Sequence, residues 1–196
     1  VTYSQTAPPA DGPVQTALKK PATLLALVVI SGISALSGLI GAIYLFAGGR
    51  DLADSYATDV AINNPSLVGL DTVMETMGTD NPQEAIDLAK SVDEWDTMVS
   101  LAHAGLIFKA FLLIIFAAPL LLFTLFAIKG STWSRVLVTI FAILSLIGGL
   151  AAAFDDGGPG LVNTMGYIGL ATAVIAVVLC WLPANNRYAK ARKLAA

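Results

Sequence analysis

Charged residues are clustered in this chain, and four of the intervals they leave, residues 21–49, 110–128, 136–154 and 161–183, contain no Asp, Glu, Lys or Arg. Each interval reaches, or nearly reaches, the roughly 20 apolar residues that a helix needs to cross a bilayer. Composition agrees: 56% of the residues are hydrophobic and 13% charged, where a soluble domain carries about 25% charged residues. A water-soluble globular enzyme is therefore excluded. The expected fold is all-α, an integral membrane four-helix bundle with a short helical extracytoplasmic cap between spans one and two.

The first run is too long for the apolar stretch of a secretory signal, roughly 7 to 15 residues, and has no convincing small-residue cleavage site. It reads as a retained anchor. The boundaries follow from the charges: a polar tail over 1–20, span one over 21–49, an acidic segment over 50–98 and span two over 99–128. A loop at 129–135, span three over 136–154, an outer turn at 155–160, span four over 161–183 and a basic tail at 184–196 complete the chain. Lys19, Lys20, Lys129, Arg135, Arg187, Lys190, Arg192 and Lys193 fall on one side, with Asp11 the only acid there. Arg50, Lys90 and Lys109 fall on the other, among 13 acids. The positive-inside rule places both termini in the cytoplasm of a multi-pass plasma-membrane protein. The acids do not bear on orientation, but they give the outer face a negative potential that attracts cationic partners.

The acidic segment is punctuated as short helices. Asn63-Asn64-Pro65 and Asp80-Asn81-Pro82 each place a capping residue before proline, as at a helix start. After the first, Leu67, Leu70, Val73, Met74 and Met77 form one apolar stripe. That stripe packs on the membrane domain or on a partner, and methionine suits either. Ser91-Val92-Asp93-Glu94 has capping-box spacing and starts the helix that becomes span two, with Trp95 expected as an anchor near the outer interface.

Chemistry-bearing residues are few. One cysteine, Cys180, and one histidine, His103, exclude an internal disulfide, a zinc-thiolate site and paired haem or copper ligands. Lys109 lies at the edge of span two, where an intramembrane charge is a functional candidate. Nineteen uncharged residues follow it, so the expectation is that its ammonium snorkels to water. Asp155 and Asp156 begin the outer turn before Gly157-Gly158-Pro159-Gly160. They could take up protons or dock a basic protein, but a solvated turn is expected, because a Ca²⁺ site needs more oxygens. No phosphate loop, nucleophile elbow, HExxH or basic-aromatic stripe is present, so neither catalysis nor nucleic-acid binding is expected. Repeated halves and a cluster of intramembrane polar residues, the marks of a transporter, are also missing.

Small residues at helix-packing spacing point toward assembly. Ser34, Gly38 and Ala42 recur in span one, Gly148 and Gly149 follow Ser145 in span three, and Gly166 and Gly169 lie in span four. Such faces serve either bundling within the chain or contact with another subunit. The Pro-rich tail over 1–20 has no core of its own and is expected to lie along another protein.

The Ala/Gly-rich four-span plan, the long acidic outer loop from Asp51 to Asp96 and the basic tail from Asn185-Asn186-Arg187-Tyr188 to Lys193 resemble the small accessory subunits of the actinobacterial cytochrome bcc-aa3 respiratory supercomplex. Claudins and tetraspanins fit worse, because residues 50–98 contain no cysteine pair. The resemblance implies a non-catalytic subunit that stabilises a respiratory membrane complex. Haem and copper would then sit in partner subunits, with no cofactor in this chain and lipids at its interfaces. An acidic face beside a basic electron carrier is a further expectation. The alternative is a free-standing tetraspan envelope protein acting as scaffold, sensor or transporter auxiliary.

Overall fold

The computed structural model describes residues 19–92, 94–129, 131–155 and 157–194. The expectations for most of the N-terminal tail and for Asp11, Asp93 and Asp156 lie outside these residues. Among the described residues there are seven α-helices, one 3-10 turn and no strand. Four helices are long and apolar enough to cross a membrane: α1 (Ala22–Asn63), α4 (Glu94–Ala127), α5 (Thr132–Ala153) and α6 (Gly160–Cys180). The chain is an all-α membrane bundle. At 1.5 Å per residue α5 and α6 are each about 32 Å long, matching a hydrocarbon layer about 30 Å thick.

α1 lies against α4 and α6, and α5 lies against the same two helices, so α1 and α5 occupy a diagonal. The largest apolar side chains point outward. Leu25, Ile43, Phe108, Ile147 and Val178 are exposed, while Ala, Ser and Gly make up much of the interior beside buried Leu27, Leu45, Leu120 and Val138. This inverts the pattern of a soluble bundle, as expected where lipid covers the outside and close backbone approach holds the inside.

The small residues singled out from the sequence meet partners within the chain. A methyl group at Gly166 would stand 2.7 Å from the backbone nitrogen of Ala153, and one at Gly38 would stand 3.0 Å from the Ala117 methyl. Gly149 abuts Leu170, and Gly148 abuts Phe116. Ser34 Oγ donates to the Gly169 carbonyl at 3.1 Å, and Ala42 is fully buried. One turn from Ser34, Thr124 Oγ1 donates to Ser31 Oγ at 3.0 Å, tying α4 to α1 inside the bundle. The void these faces leave is about 30 Å³, the space of about one water.

α1 runs past the expected end of span one as far as Asn63, but it is interrupted at Gly49, whose φ of 54° and ψ of −142° only glycine adopts readily. Beyond this break, Arg50, Asp51, Asp54 and Asp59 mark a segment outside the apolar layer. Ala53, Ala57 and Ala61, spaced four apart, are its buried face. The single helix expected after Asn64 is instead a 3-10 turn, Pro65–Val68, followed by α2 (Leu70–Met77). Gly69, at φ 73°, separates the two. The stripe is split accordingly: Leu70 is buried, Val73 and Met74 pack on the core, and Leu67 and Met77 are exposed. α3 (Pro82–Ser91) begins where Asn81 predicts, its side chain accepting from the Gln83 amide at 3.1 Å. The basic tail is also helical, as α7 (Pro183–Leu194).

Candidate functional site

The acidic end is organised around Asp155, the second residue after α5. Lys109 Nζ donates to its Oδ2 at 2.7 Å, and Tyr56 Oη donates to its Oδ1 at 3.2 Å. Helical side chains lean toward the N-terminus of their own helix. Lys109 on α4 therefore reaches up toward the acidic end, Tyr56 on α1 reaches down, and the carboxylate sits between them. The turn that presents Asp155 is fixed by the Gly158 amide and Asn163 Nδ2, both donating to the Asp155 carbonyl. Its glycines are sterically required, since Gly157 has φ 83° and packs on Val60, and a methyl at Gly158 would fall 2.7 Å from Asp155 Oδ2.

This geometry corrects two expectations. Lys109 does not end in open water: its side chain is 15% exposed, that of Asp155 is 19% exposed, and the two form an ion pair. Asp155 is likewise not part of a freely solvated turn. Asp156 lies outside the described residues. One oxygen of this carboxylate is held by an ammonium and the other by a phenol, so the three side chains clasp three segments together. Burial first, then the Asp155 charge and the hydrogen bond to it, hold the Tyr56 phenol above its usual range.

Beside the clasp is an open groove of about 460 Å³. Val60, Leu67, Val68, Met98 and Leu101 line its walls, and Tyr56, Lys109 and Asp155 contribute the polar part. Leu67 and Leu101 are each 76% exposed. His103, on α4, is half-buried and is not among the residues that line the groove. No group of three or more His, Cys, Asp or Glu able to hold a metal occurs among the described residues.

Trp95, expected as an anchor near the outer interface, is 5% exposed, with Nε1 donating to Asp54 Oδ1 at 2.6 Å and Lys90 Nζ 5.3 Å from its ring centroid. It pins the outer half of α1 to the start of α4. The neighbouring Arg50–Asp96 pair at 3.3 Å is solvent-exposed on both sides and adds little to stability.

At the basic end, Arg135 is 3% exposed. Its Nη1 donates to the Cys180 carbonyl at 3.2 Å and to Asn186 Oδ1 at 3.0 Å. Asn185 Nδ2 donates to the Leu179 carbonyl at 2.8 Å, and Thr23 Oγ1 donates to Asn185 Oδ1 at 2.7 Å. The last carbonyls of a helix lack partners within it, and a cation there also complements the helix dipole. Arg135 and Asn185 therefore close α6 and join it to α5, α7 and the residue after the start of α1. Sequence reasoning treated Arg135 as a topological charge and Asn185-Asn186 as tail. The available signal was a pair of amides immediately beyond a span.

No protein family model, characterised protein or solved structure matches this chain.

Proposed function

We propose that this chain is a non-catalytic accessory subunit of a larger membrane complex, oriented with its basic end in the cytoplasm. The observation that carries this reading is the apolar groove at the acidic end. Leu67 and Leu101 are exposed there, in segments flanked by Asp59, Asp71 and Asp96, beyond the uncharged run that begins at residue 110. Contiguous apolar surface at water depth marks contact with another protein. The small-residue faces are already used inside the bundle, so this surface remains for a partner. A bacterial cytochrome bcc-aa3 complex, with its haems and copper in other subunits, is the specific assembly proposed. Asp51, Asp59, Asp71, Glu75, Asp80, Glu84, Asp87, Glu94 and Asp96 are exposed on the acidic segment and would draw a basic electron carrier toward this end.

The test is purification in mild detergent on a C-terminal tag, followed by mass spectrometry and a reduced-minus-oxidised visible spectrum. Co-elution of a-, b- and c-type haem subunits supports the reading, and their loss with Leu101→Glu, at unchanged membrane insertion, locates the contact. A colourless, self-associated eluate overturns it in favour of a free-standing tetraspan scaffold. Electron-carrier association that does not change with ionic strength removes the electrostatic role.

A further inference from the structure

The end of α4, the start of α5 and α7 border an open cavity of about 250 Å³, lined by Phe126, Lys129, Ser131, Trp133, Ser134 and Arg192. We propose that it binds the headgroup phosphodiester of an anionic phospholipid.

Charge is the first argument. Lys129 and Arg192 come from elements more than sixty residues apart in sequence and line one cavity. The segments that build this end, residues 19–20, 129–135 and 183–194, contain no Asp or Glu. Among the described residues the only ion pairs, Arg50–Asp96 and Lys109–Asp155, lie at the opposite end. Two cations facing a shared cavity without a carboxylate repel each other, and a bound anion relieves that repulsion.

Shape and depth favour a lipid over a small free anion. The volume is several times the roughly 30 Å³ share of one water. One wall is aromatic. Trp133 is 66% exposed, and its ring is fixed edge-on against Phe123 at 5.9 Å, which in turn packs on Phe141 at 5.4 Å. Exposed Phe126 continues this wall toward the uncharged run of α4, giving acyl chains an apolar path away from the cations. Exposed tryptophan marks headgroup depth, and basic pockets between spans are suited to anionic lipid. The Ser131 hydroxyl has no hydrogen-bond partner among the described residues and can donate to a phosphate oxygen. The Ser134 hydroxyl is already committed to the Ser131 carbonyl at 2.9 Å.

The experiment uses the full chain in detergent micelles, titrated calorimetrically with dihexanoyl phosphatidylglycerol, dihexanoyl phosphatidylcholine and inorganic phosphate. Phosphatidylglycerol is expected to bind saturably and more tightly than either comparator. Lys129→Gln and Arg192→Gln should each weaken it about fivefold, and the double variant about twenty-five-fold, from the worth of one cation near an anionic headgroup. Lys129→Arg should retain binding. Arg187→Gln, on α7 but not among the residues lining the cavity, should stay within about twofold, because it does not face the bound phosphate. Circular dichroism and gel filtration establish that the variants, all at exposed positions, remain folded. Equal binding of phosphatidylcholine, or full phosphatidylglycerol affinity in the double variant, overturns the proposal. Inorganic phosphate binding as tightly as phosphatidylglycerol overturns the lipid assignment and leaves a free-anion site.

Discussion

Lys109 and Asp155 are 46 residues apart in sequence and meet at 2.7 Å with both side chains largely shielded from solvent. Removing one member leaves the other charge with no counter-ion in a poorly solvated position. Lys109→Met or Asp155→Leu is therefore expected to cost about 3 kcal/mol, and the double substitution less than the sum, because breaking a shielded pair costs more than removing it whole. Unfolding in mixed micelles across the double-mutant cycle measures this. Additive single effects would mean that the pair contributes no coupling.

Tyr56 extends the same clasp into a pH dependence. Its folded-state ionisation lies above the usual phenol range, because of burial first and then Asp155. The fold therefore holds the neutral phenol preferentially. Its contribution is fully present below about pH 10, where the unfolded phenol ionises, and is lost as pH rises through the higher folded-state value. Tyr56→Phe should abolish that alkaline loss and lower stability near neutrality by about 1.5 to 3 kcal/mol, the worth of a hydrogen bond to a charged group. Phenolate absorbance should show a late-ionising tyrosine in the wild type that is absent from Tyr56→Phe. Identical titration curves would count against the assignment.

Glycines at helix contacts offer a paired comparison within one bundle. A methyl group at Gly166 meets the backbone of Ala152 and Ala153, whereas one at Gly32 meets nothing within 4 Å. Backbone atoms cannot rotate away, so Gly166→Ala should destabilise the α5–α6 contact by about 1 to 3 kcal/mol. Gly32→Ala should be neutral or slightly stabilising, from reduced chain entropy in the unfolded state. Comparable losses at both sites would show that helix propensity, not close approach, governs these positions.

The fold class was legible because spanning helices announce themselves locally, as runs without charge bounded by Lys, Arg or Asp. Asn81 was legible for the same reason, since a cap needs only its next few residues. The Lys109–Asp155–Tyr56 clasp was not, because it depends on a helix break at Gly49 and a turn at Gly157-Gly158 bringing three distant segments together. Neighbouring residues encode neither pairing. Gly69 misled in a different way: the apolar stripe from Leu67 to Met77 has helical spacing, but one left-handed glycine divides it. Arg135 was hidden by its own strongest signal, since a basic residue beside a span already has an explanation in topology, and only the position of the Cys180 carbonyl reveals its second task.

Trp95 and Asp54 carry the attachment of the acidic cap to the bundle. The indole is buried and its one donor is satisfied by Asp54 Oδ1 at 2.6 Å. Asp54→Ala leaves a buried N–H without a partner, at a cost of about 1 to 3 kcal/mol, whereas Trp95→Phe removes the buried donor and leaves only the partly exposed Asp54 carboxylate, which water can reach, without its partner. The acceptor variant should therefore be the more damaging per atom removed, and its damage should be local, because Asp54 touches the cap and not the span interior. Hydrogen exchange should show earlier opening of α2, α3 and the segment of α1 beyond Gly49 in Asp54→Ala, with protection of α5 and α6 unchanged. Loss of protection throughout all four spans would instead mean that cap and bundle unfold as one unit.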